Sequence, residues 1–546
     1  MNFQSKFSQY IKWLVLAYIA IGVFLLFQSK LILDFTLSSF LLVGPFVLCT
    51  IAYGALTLNK KYIISGIGVA VLYVVSLVVF SPLIMPNEHR DLIGSVEEVE
   101  FSSQIEYIDL KQLPTIDKQL AAKLADKKLG EIPSLGSQVT IGDLTLQSIA
   151  GQLYYVAPLE HSSLFKWLIN NEGTKGYIKV SAINQNDVQL VTELNGQPIH
   201  LKYLESAYLF SDLDRAAYIR DMKAGHTDYT FELDDEGNPY WVITRYDNAI
   251  GLTEQKAIGV LIIDAQTGES NIYDIENTPK WVDRIQPSGY INNYLNKWGE
   301  LVHGIFNFSD KDKLKTTQGM NIIFNNDKCY YYTGITSVGN DEGLVGFTLT
   351  DTRTGETTMY KTSGATEVAS MQSAEGKVQQ YGYSATFPYL INIQSEPTYF
   401  MTLKDSNGLV KQYAMVNVKN YSTVAVGDSL QTTLNRYIEA LTNTNISLEG
   451  SNSEEVLEGE VERIGLVIKE GSSIYDIKIK GSDNIFSVST ESSREVALTN
   501  VGDKVSLKFI KVGDGKYIIT NSFENLSLKG SNMESSLEEG STTTTE

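Results

Sequence analysis

The first 90 residues contain three apolar runs, 13–27, 31–57 and 62–86, which short polar stretches separate. A helix needs about 20 apolar residues to cross the hydrocarbon core of a bilayer. The second and third runs reach that length unaided, and the first reaches it with its flanking residues. The pattern therefore predicts a membrane domain, 1–90, with three transmembrane helices. A cleaved signal peptide is the alternative for the first run, but no small-residue cleavage pattern follows it.

Basic residues flank these runs unequally. The two sides of the membrane carry Lys6, Lys12, Lys60 and Lys61 against Lys30 and Arg90. The side richer in lysine and arginine is normally cytoplasmic. We therefore expect a multi-pass protein of the cell membrane, with a cytoplasmic amino terminus and residues 91–546 outside the cytoplasm.

Residues 91–195 alternate short strands with helical stretches, which predicts an α+β domain. Apolar residues at helical spacing predict a helix over 116–129, and a second, shorter helix is predicted over 162–170. Phe165 and Trp167 in the shorter helix are interpreted as core residues, not as the wall of a ligand groove.

An internal repeat follows. The segment 258–273 recurs as 345–360 without a gap, at an offset of 87 residues. The shared polar, glycine and tyrosine positions are Asp264, Thr267, Gly268, Glu269 and Tyr273 in one copy and Asp351, Thr354, Gly355, Glu356 and Tyr360 in the other. Alternating apolar residues before an Asp, and a Gly that supplies a positive φ, predict a β-hairpin with a structural turn.

Each copy has a preceding strand and a following helix, predicted over 288–300 and 365–380. We place the two modules at 196–310 and 311–441. A strand that runs into D-x-x-T-G-E and is accompanied by a helix resembles the PepSY-type module, a small exported α+β unit of protease propeptides and membrane-tethered envelope proteins. The resemblance implies binding, inhibitory or assembly roles, and it transfers no catalytic residue.

The carboxyl-terminal part begins with a polar linker, 442–455, and ends with an acidic, Thr-rich tail, 529–546, which is predicted to be disordered. Between them, 456–528 resembles an OB-type barrel. Its predicted strands are 456–468, 473–480, 485–489, 504–512 and 516–523.

Some OB-type barrels bind nucleic acid through a basic groove with stacked aromatic side chains. The barrel aromatics Tyr475, Phe486, Phe509 and Tyr517 alternate with aliphatic residues, as core residues do. The residues after position 90 include 38 basic and 62 acidic ones, so their net charge is −24 within the −20 of the whole chain. Such a surface repels the nucleic-acid backbone, and the sequence does not favour nucleic acid as a partner.

Familiar catalytic motifs are missing from the sequence, including H-E-x-x-H, G-x-S-x-G and the phosphate-binding P-loop. Cys49 and Cys329 are expected to be unpaired, buried apolar residues. Two polar sets could form a site only through the fold: His161, Ser162 and Ser163, and Asp212, Asp214 and Arg215. Solvated loop or helix faces explain them more simply, so we expect no catalytic residue, cofactor or metal ligand.

The predicted fold class is therefore α+β, with three transmembrane helices, duplicated hairpin-plus-helix modules and a five-stranded β-barrel-like domain. The predicted function is that of a membrane-anchored extracytoplasmic binding or assembly protein, whose partners are the membrane and another protein or a second copy of itself. The alternatives are an envelope enzyme acting on peptide or glycan, and a structural subunit of a surface or mobile-element assembly.

Overall fold

The computed structural model describes residues 9, 10, 12, 13, 15, 16, 18–20, 37–101, 113–251, 253–325, 328–339, 343–393, 396–443, 455–469, 472–490, 493–509 and 517–529. Most of the apolar run 13–27, of the linker 442–455 and of the tail 529–546 lies outside them. The chain forms a mixed α+β fold that is rich in strands, as predicted, and divides into two compact units. The first comprises the chain up to Ile391 with Pro397–Ser422, and the second Asn392–Glu396 with the residues from Thr423.

Two apolar helices, α1 (Leu37–Leu56) and α2 (Lys60–Val79), pack against each other near the amino terminus. Glycine allows the close approach, because a Cβ on Gly66 would lie 2.6 Å from Ile51 Cγ1. Among the described residues, α2 alone is long and apolar enough to cross a membrane, judged by length and composition. Among the described residues the three predicted spanning helices are therefore corrected to one: the second run contributes a shorter apolar segment, Val43–Leu56, and most of the first run lies outside the described residues.

A short helix, α3 (Pro86–Arg90), and a strand, β1 (Val96–Glu100), join α2 to the rest of the first unit. The rest of that unit is built mainly from four repeats, each with a helix followed by an antiparallel meander. Repeat 1 contains α4 (Lys118–Gly130), α5 (Pro133–Gly136), β2 (Val139–Ile141), β3 (Thr145–Ile149), β4 (Gln152–His161), α6 (Leu164–Ile169), β5 (Tyr177–Ser181) and β6 (Val188–Val191). A small hairpin, β7 (Glu193–Leu194) and β8 (Gln197–Pro198), follows it.

The other repeats have the same plan. Repeat 2 contains α7 (Leu213–Arg220), β9 (Gly225–Leu233), β10 (Pro239–Ile250), β11 (Glu254–Asp264) and β12 (Ser270–Tyr273). Repeat 3 contains α8 (Ser288–Glu300), β13 (Leu314–Thr316), β14 (Asn321–Asn325), β15 (Lys328–Ser337), β16 (Gly343–Asp351) and β17 (Thr357–Ala365), and β1 pairs with β17 in parallel. Repeat 4 contains α9 (Glu367–Lys377), β18 (Ser384–Ala385), β19 (Tyr389–Ile393), β20 (Glu396–Lys404) and β21 (Val410–Asn417).

One backbone link recurs in all four repeats. The second and third long strands of the repeats are β4 and β5, β10 and β11, β15 and β16, and β20 and β21. The residue after the third of these strands donates its backbone N–H to a carbonyl at the start of the second: Ala182 to Leu153, Ala265 to Pro239, Thr352 to Cys329 and Val418 to Pro397. Its carbonyl accepts from the residues before the repeat's helix: Thr115 and Ile116, Lys202 and Tyr203, Ile285 and Gln286, and Ala365. The link therefore fixes the start of each helix against its own meander.

A second set of contacts joins each repeat to the next. The far end of the hairpin formed by the second and third strands meets the next repeat's helix or the segment leading into it. The contacts are Glu160 Oε2 with Ser206 N (3.0 Å), Glu254 Oε2 with Asn293 Nδ2 (2.9 Å), Gly334 N with Glu367 Oε1 (2.8 Å) and Lys404 Nζ with Asp117 Oδ1 (2.9 Å). The last contact returns from repeat 4 to repeat 1. The four repeats therefore close into a ring.

The second unit begins with β22 (Val424–Gly427) and α10 (Leu430–Asn443). Its remaining elements are β23 (Glu455–Lys469), β24 (Ser472–Ile479), β25 (Ile485–Ser489), β26 (Lys504–Phe509), β27 (Tyr517–Asn525) and α11 (Leu526–Lys529). The pairing order β23-β24-β25-β27-β26 returns from β26 to β23, so the sheet closes on itself. Phe486 and Phe509 lie in its core with their rings 4.9 Å apart, as predicted for core residues.

Candidate functional site: exposed apolar side chains and two buried ionic clusters

The structure places both D-x-x-T-G-E segments in turns between the third and fourth strands. Asp264 accepts hydrogen bonds from the backbone of Gln266 and Thr267, both at 2.8 Å. Asp351 accepts from Arg353 at 2.8 Å and Thr354 at 2.9 Å. Thr267 and Thr354 each accept from the Glu two residues on, Glu269 and Glu356. The carboxylates are therefore occupied in holding their own turns.

The glycines and tyrosines of the motif are also structural. Gly268 and Gly355 have φ values of +75° and +81°, which favour glycine. The Tyr360 ring is buried and stacks on Phe347 with centroids 5.1 Å apart, and Tyr273 packs at the edge of a buried cluster. These residues give the repeat its shape and present no reactive group.

A buried ionic cluster lies where repeats 1, 2 and 3 meet. Glu232, in β9, is fully buried, and its Oε1 accepts from Thr230 at 2.8 Å. Asp283 accepts from the backbone N–H of Ser148 in repeat 1 at 2.7 Å. The positive charge of Arg284 acts on both carboxylates and favours their ionised forms, against the larger effect of burial on their pKa values. The cluster thus connects three repeats through charged side chains.

Burial has the largest effect on the pKa values of the two carboxylates in this cluster, Glu232 and Asp283. It raises the pKa of Glu232 to about 7 and that of Asp283 to about 6, although Arg284 opposes both increases. It also raises the pKa of the neighbouring Cys329 thiol, which disfavours a reactive thiolate. Perturbed carboxylates often mark active sites, but a substrate must reach them. Because Glu232 has no solvent-accessible surface, we assign this cluster to structure.

A second ionic cluster joins the end of α2 to repeats 2 and 3. His89 Nε2 donates to the carbonyl of Phe80 at 2.9 Å, and His89 Nδ1 lies 3.5 Å from Glu254 Oε1. Glu254 also pairs with Lys297 and accepts from Asn293 at 2.9 Å. The cluster therefore holds the chain that follows α2 against α8 and β11.

The polar sets singled out in the sequence have structural partners. Ser162 donates to the carbonyl of Gln138 at 2.9 Å, and Ser163 caps α6. Asp212 caps α7 by accepting from the Arg215 N–H at 2.8 Å. The part of the chain that the structure describes holds no group of three His, Cys, Asp or Glu side chains that could bind a metal ion.

An open depression of about 410 Å³ lies beside β16 and β17. It is lined by Val345, Lys361, Thr362, Ser363 and Lys419. A carboxylate pair or a histidine beside a serine, which an envelope hydrolase would need, is not part of this lining.

Large apolar side chains are exposed on α6 and on the segment that precedes α7. Phe165 is 73% exposed and Ile169 is 83% exposed on α6, and Phe210 is 77% exposed. The Trp167 and Tyr208 rings, 5.4 Å apart, join the two segments into one surface. The prediction that Phe165 packs in a core is wrong, because α6 presents that side chain to solvent. Trp167 does pack against the core of repeats 1 and 2.

A second exposed pair, Phe306 (71%) and Phe308 (84%), lies in the loop between α8 and β13. Their ring centroids are 6.1 Å apart. Sequence reasoning missed this pair, although two phenylalanines among Gly, Asn, Ser and Asp have no helical or strand periodicity and could have suggested exposure.

Comparison with known proteins identifies no family. No family model matches the chain, and no curated protein matches it. Among solved structures, the polysaccharide lyase Uly1 is 10% identical, with 69% of this chain and 75% of that chain covered at a TM-score of 0.17. A Bombyx mori GH32 β-fructofuranosidase is 10% identical (74% and 69% covered, TM-score 0.16), and a B. megaterium levansucrase is 9% identical (80% and 96% covered, TM-score 0.17). Similarity this weak supports no inference about fold or function.

Proposed function

We propose that this chain is a membrane-anchored protein whose region after α2 lies outside the cytoplasm and binds or assembles with another protein. The observation that supports the proposal most directly is the environment of α2. Gly66 is the one buried residue among its 20, and apolar side chains such as Ile64, Leu72 and Val74 are exposed along it. A helix of this length and composition gains stability when lipid covers it.

The attachment of α2 to the repeats also supports an anchoring role. The His89, Glu254 and Lys297 cluster holds the chain directly after α2 against repeats 2 and 3. A rigid connection of this kind keeps the ring at a fixed distance from the bilayer. The described residues include exposed apolar side chains and repeated structure, and Ser163 and Asp212 of the polar sets considered above cap helices. Binding or assembly accounts for these features without catalysis.

Membrane topology tests this proposal. Reporters that are active on one side of the membrane would be inserted after residues 58–61, where the turn that follows α1 leads into α2, and after residue 450. We expect the first fusion to report from the cytoplasm and the second from outside. A fusion after residue 450 that reports from the cytoplasm would overturn the extracytoplasmic assignment, and equal reports from both fusions would show that α2 does not cross.

A further inference from the structure

The two repeats that share the D-x-x-T-G-E turn differ at the outer edges of their sheets. In repeat 3 the fourth strand, β17, pairs with β16 on one side and with β1, in parallel, on the other. In repeat 2 the fourth strand, β12, pairs with β11 on one side, and no strand in the part of the chain that the structure describes pairs with its other side. Within that part, the chain therefore covers one of two equivalent edges.

The repeat offset of 87 residues aligns these edges residue by residue. Strand β1 pairs with residues 357–361 of repeat 3, and their equivalents in repeat 2 are residues 270–274. Met359, beside β1, is 2% exposed, whereas its equivalent, Ile272, is 49% exposed. Repeat 2 thus presents to solvent an apolar side chain whose counterpart in repeat 3 is buried.

The backbone of β12 is oriented to pair with a further strand. Asp264 donates its N–H to the carbonyl of Glu269 at 2.9 Å, where the ladder between β11 and β12 begins. Because bonded pairs alternate along an antiparallel ladder, the N–H and C=O groups of Ser270 and Ile272 point away from β11. Lysine and proline, which commonly protect sheet edges, are absent from β12. The edge is short, but β1 and β17 show that pairing over five residues is sufficient.

Charge differs between the two edges. Glu98 of β1 forms an ion pair with Lys361 of β17. The residue of repeat 2 that is equivalent to Lys361 is Asp274, whose side chain is exposed. The backbone N–H of Asn277 donates to Asp274 at 2.8 Å and lowers the pKa of its carboxyl group, so Asp274 is ionised at neutral pH. A strand on this edge is therefore stabilised by lysine or arginine at the position where β1 has Glu98.

The same charges disfavour a second copy of this chain as the occupant. Antiparallel pairing of two β12 strands across a two-fold axis would bring Glu269 of one copy near Asp274 of the other. Like charges on opposite strands of a ladder are destabilising. The edge therefore fits a strand of a different protein.

We infer that the outer edge of β12 binds an extended segment of another protein as a parallel strand, in the register that β1 adopts on β17 and with lysine or arginine at the position of Glu98. This inference rests on the proposed function, because it specifies how the chain binds another protein. In strand addition of this kind, main-chain hydrogen bonds supply affinity and alternate side chains supply specificity.

Peptide binding to the full chain in detergent micelles tests the inference. The probes are two fluorescein-labelled peptides with the sequence of residues 94–101, one unchanged and one with Glu98→Lys. We expect fluorescence anisotropy at low salt to show about fivefold tighter binding of the lysine peptide. Asp274→Asn keeps an acceptor for Asn277 and should remove this preference. Glu276→Gln, at an exposed carboxylate two residues further on, should retain it.

A proline variant tests the location. Ile272→Pro removes an N–H that points away from β11, which an edge strand tolerates, and it should weaken binding of the lysine peptide by about tenfold. Unchanged binding to this variant would place the peptide elsewhere and overturn the inference. Equal affinity of the two peptides for the wild type, or no binding of either, would also overturn it. So would dimerisation of the chain that Ile272→Pro abolishes, because a second copy would then occupy the edge.

Crosslinking tests the direction of the bound strand. Val96 pairs with Thr357, whose equivalent is Ser270. A lysine peptide with Val96→Cys should therefore form a disulfide with Ser270→Cys faster than a lysine peptide with Glu100→Cys does. The reverse preference would overturn parallel pairing.

The topology fusions separate failure of this inference from failure of the proposed function. If the fusion after residue 450 reports from outside and neither peptide binds, the inference alone is wrong. If that fusion reports from the cytoplasm, the extracytoplasmic assignment is wrong, and the peptide affinities still decide whether β12 binds a strand.

Discussion

At the scale of single residues, the proton on Glu232 contributes to stability. Its pKa is raised by burial from 4.5 to about 7, so between these values the folded state binds more protons than the unfolded state. The free energy of unfolding therefore falls as pH rises through this range, by up to about 3 kcal/mol. We expect Glu232→Gln to flatten the pH dependence of stability, as measured by urea unfolding at about pH 5 and about pH 8.

The exposed Glu193 provides the control for this titration. Glu193→Gln should leave the pH dependence of the wild type unchanged. If Glu232→Gln retains the full pH dependence, the raised pKa of Glu232 is not its source, and the neighbouring Asp283 becomes the carboxylate to test.

The two motif aspartates make a matched pair. Asp264→Ala and Asp351→Ala each remove the acceptor for two backbone N–H groups, which should cost about 1–2 kcal/mol in the free energy of unfolding. The loss should be larger at Asp351, because Arg353 in its turn also donates to the carbonyls of Thr278 (2.7 Å) and Pro279 (2.8 Å) in the link to repeat 2. Chemical denaturation measures both losses.

Asparagine keeps one side-chain carbonyl acceptor, so Asp264→Asn and Asp351→Asn should recover most of the stability lost in the alanine variants. Asparagine variants as unstable as the alanine variants would show that negative charge, not hydrogen bonding, holds the turns.

At the scale of elements, the sequence predicted those features that local chemistry determines. The helix at 288–300 has the predicted bounds, and D-x-x-T-G-E predicted its turns because one carboxylate and one glycine suffice to define them. Repeats 1 and 4 were not recognised because Ser181 and Asn417 take the place of the aspartate. Ser181 Oγ accepts from Ile183 and Asn184, and Asn417 Oδ1 accepts from Asn420, so similar turns form without a shared motif.

Features that depend on contacts between distant residues could not be predicted. The charges of Glu232 and Arg284 are far apart in sequence, and their common burial follows from the packing of separate repeats. Helix α6 was predicted as an element, but its exposure was not, because apolar residues in a short helix do not reveal whether protein or another surface covers them.

The attachment of α3 to α8 gives a prediction at this scale. Glu254→Ala removes the partner of Lys297 and Asn293 and should cost about 2 kcal/mol, because it leaves a partly buried lysine without its carboxylate. Since the lost contacts hold residues 80–93, hydrogen exchange should accelerate there first. The control is the exposed pair of Lys118 with Asp143, where Asp143→Ala should change stability by less than about 0.5 kcal/mol. Unchanged exchange at 80–93 would show that apolar contacts alone hold this segment.

At the scale of the first unit, closure of the ring distinguishes it from an open array of repeats. In an open array each repeat contacts only its sequence neighbours, so damage at one end stays local. Here repeat 4 contacts repeat 1 through Lys404, whose ammonium lies 2.9 Å from both carboxylate oxygens of Asp117 and 2.7 Å from Gln119 Oε1. The side chain of Lys404 is 7% exposed, so its ammonium is largely shielded from water, while the Asp117 side chain is 29% exposed.

Opening this junction should weaken every repeat. Lys404→Met keeps the aliphatic stem but removes the charge, and it should cost about 2 kcal/mol because Asp117 and Gln119 lose their partner. In a closed ring, hydrogen-exchange protection should fall in repeats 2 and 3 as well as in repeats 1 and 4. Lys411→Ala, which removes the more exposed lysine that pairs with Asp405 within repeat 4 at 3.3 Å, should change none of them. Loss of protection confined to repeats 1 and 4 would mean that the repeats are stabilised pairwise and that closure adds no cooperativity.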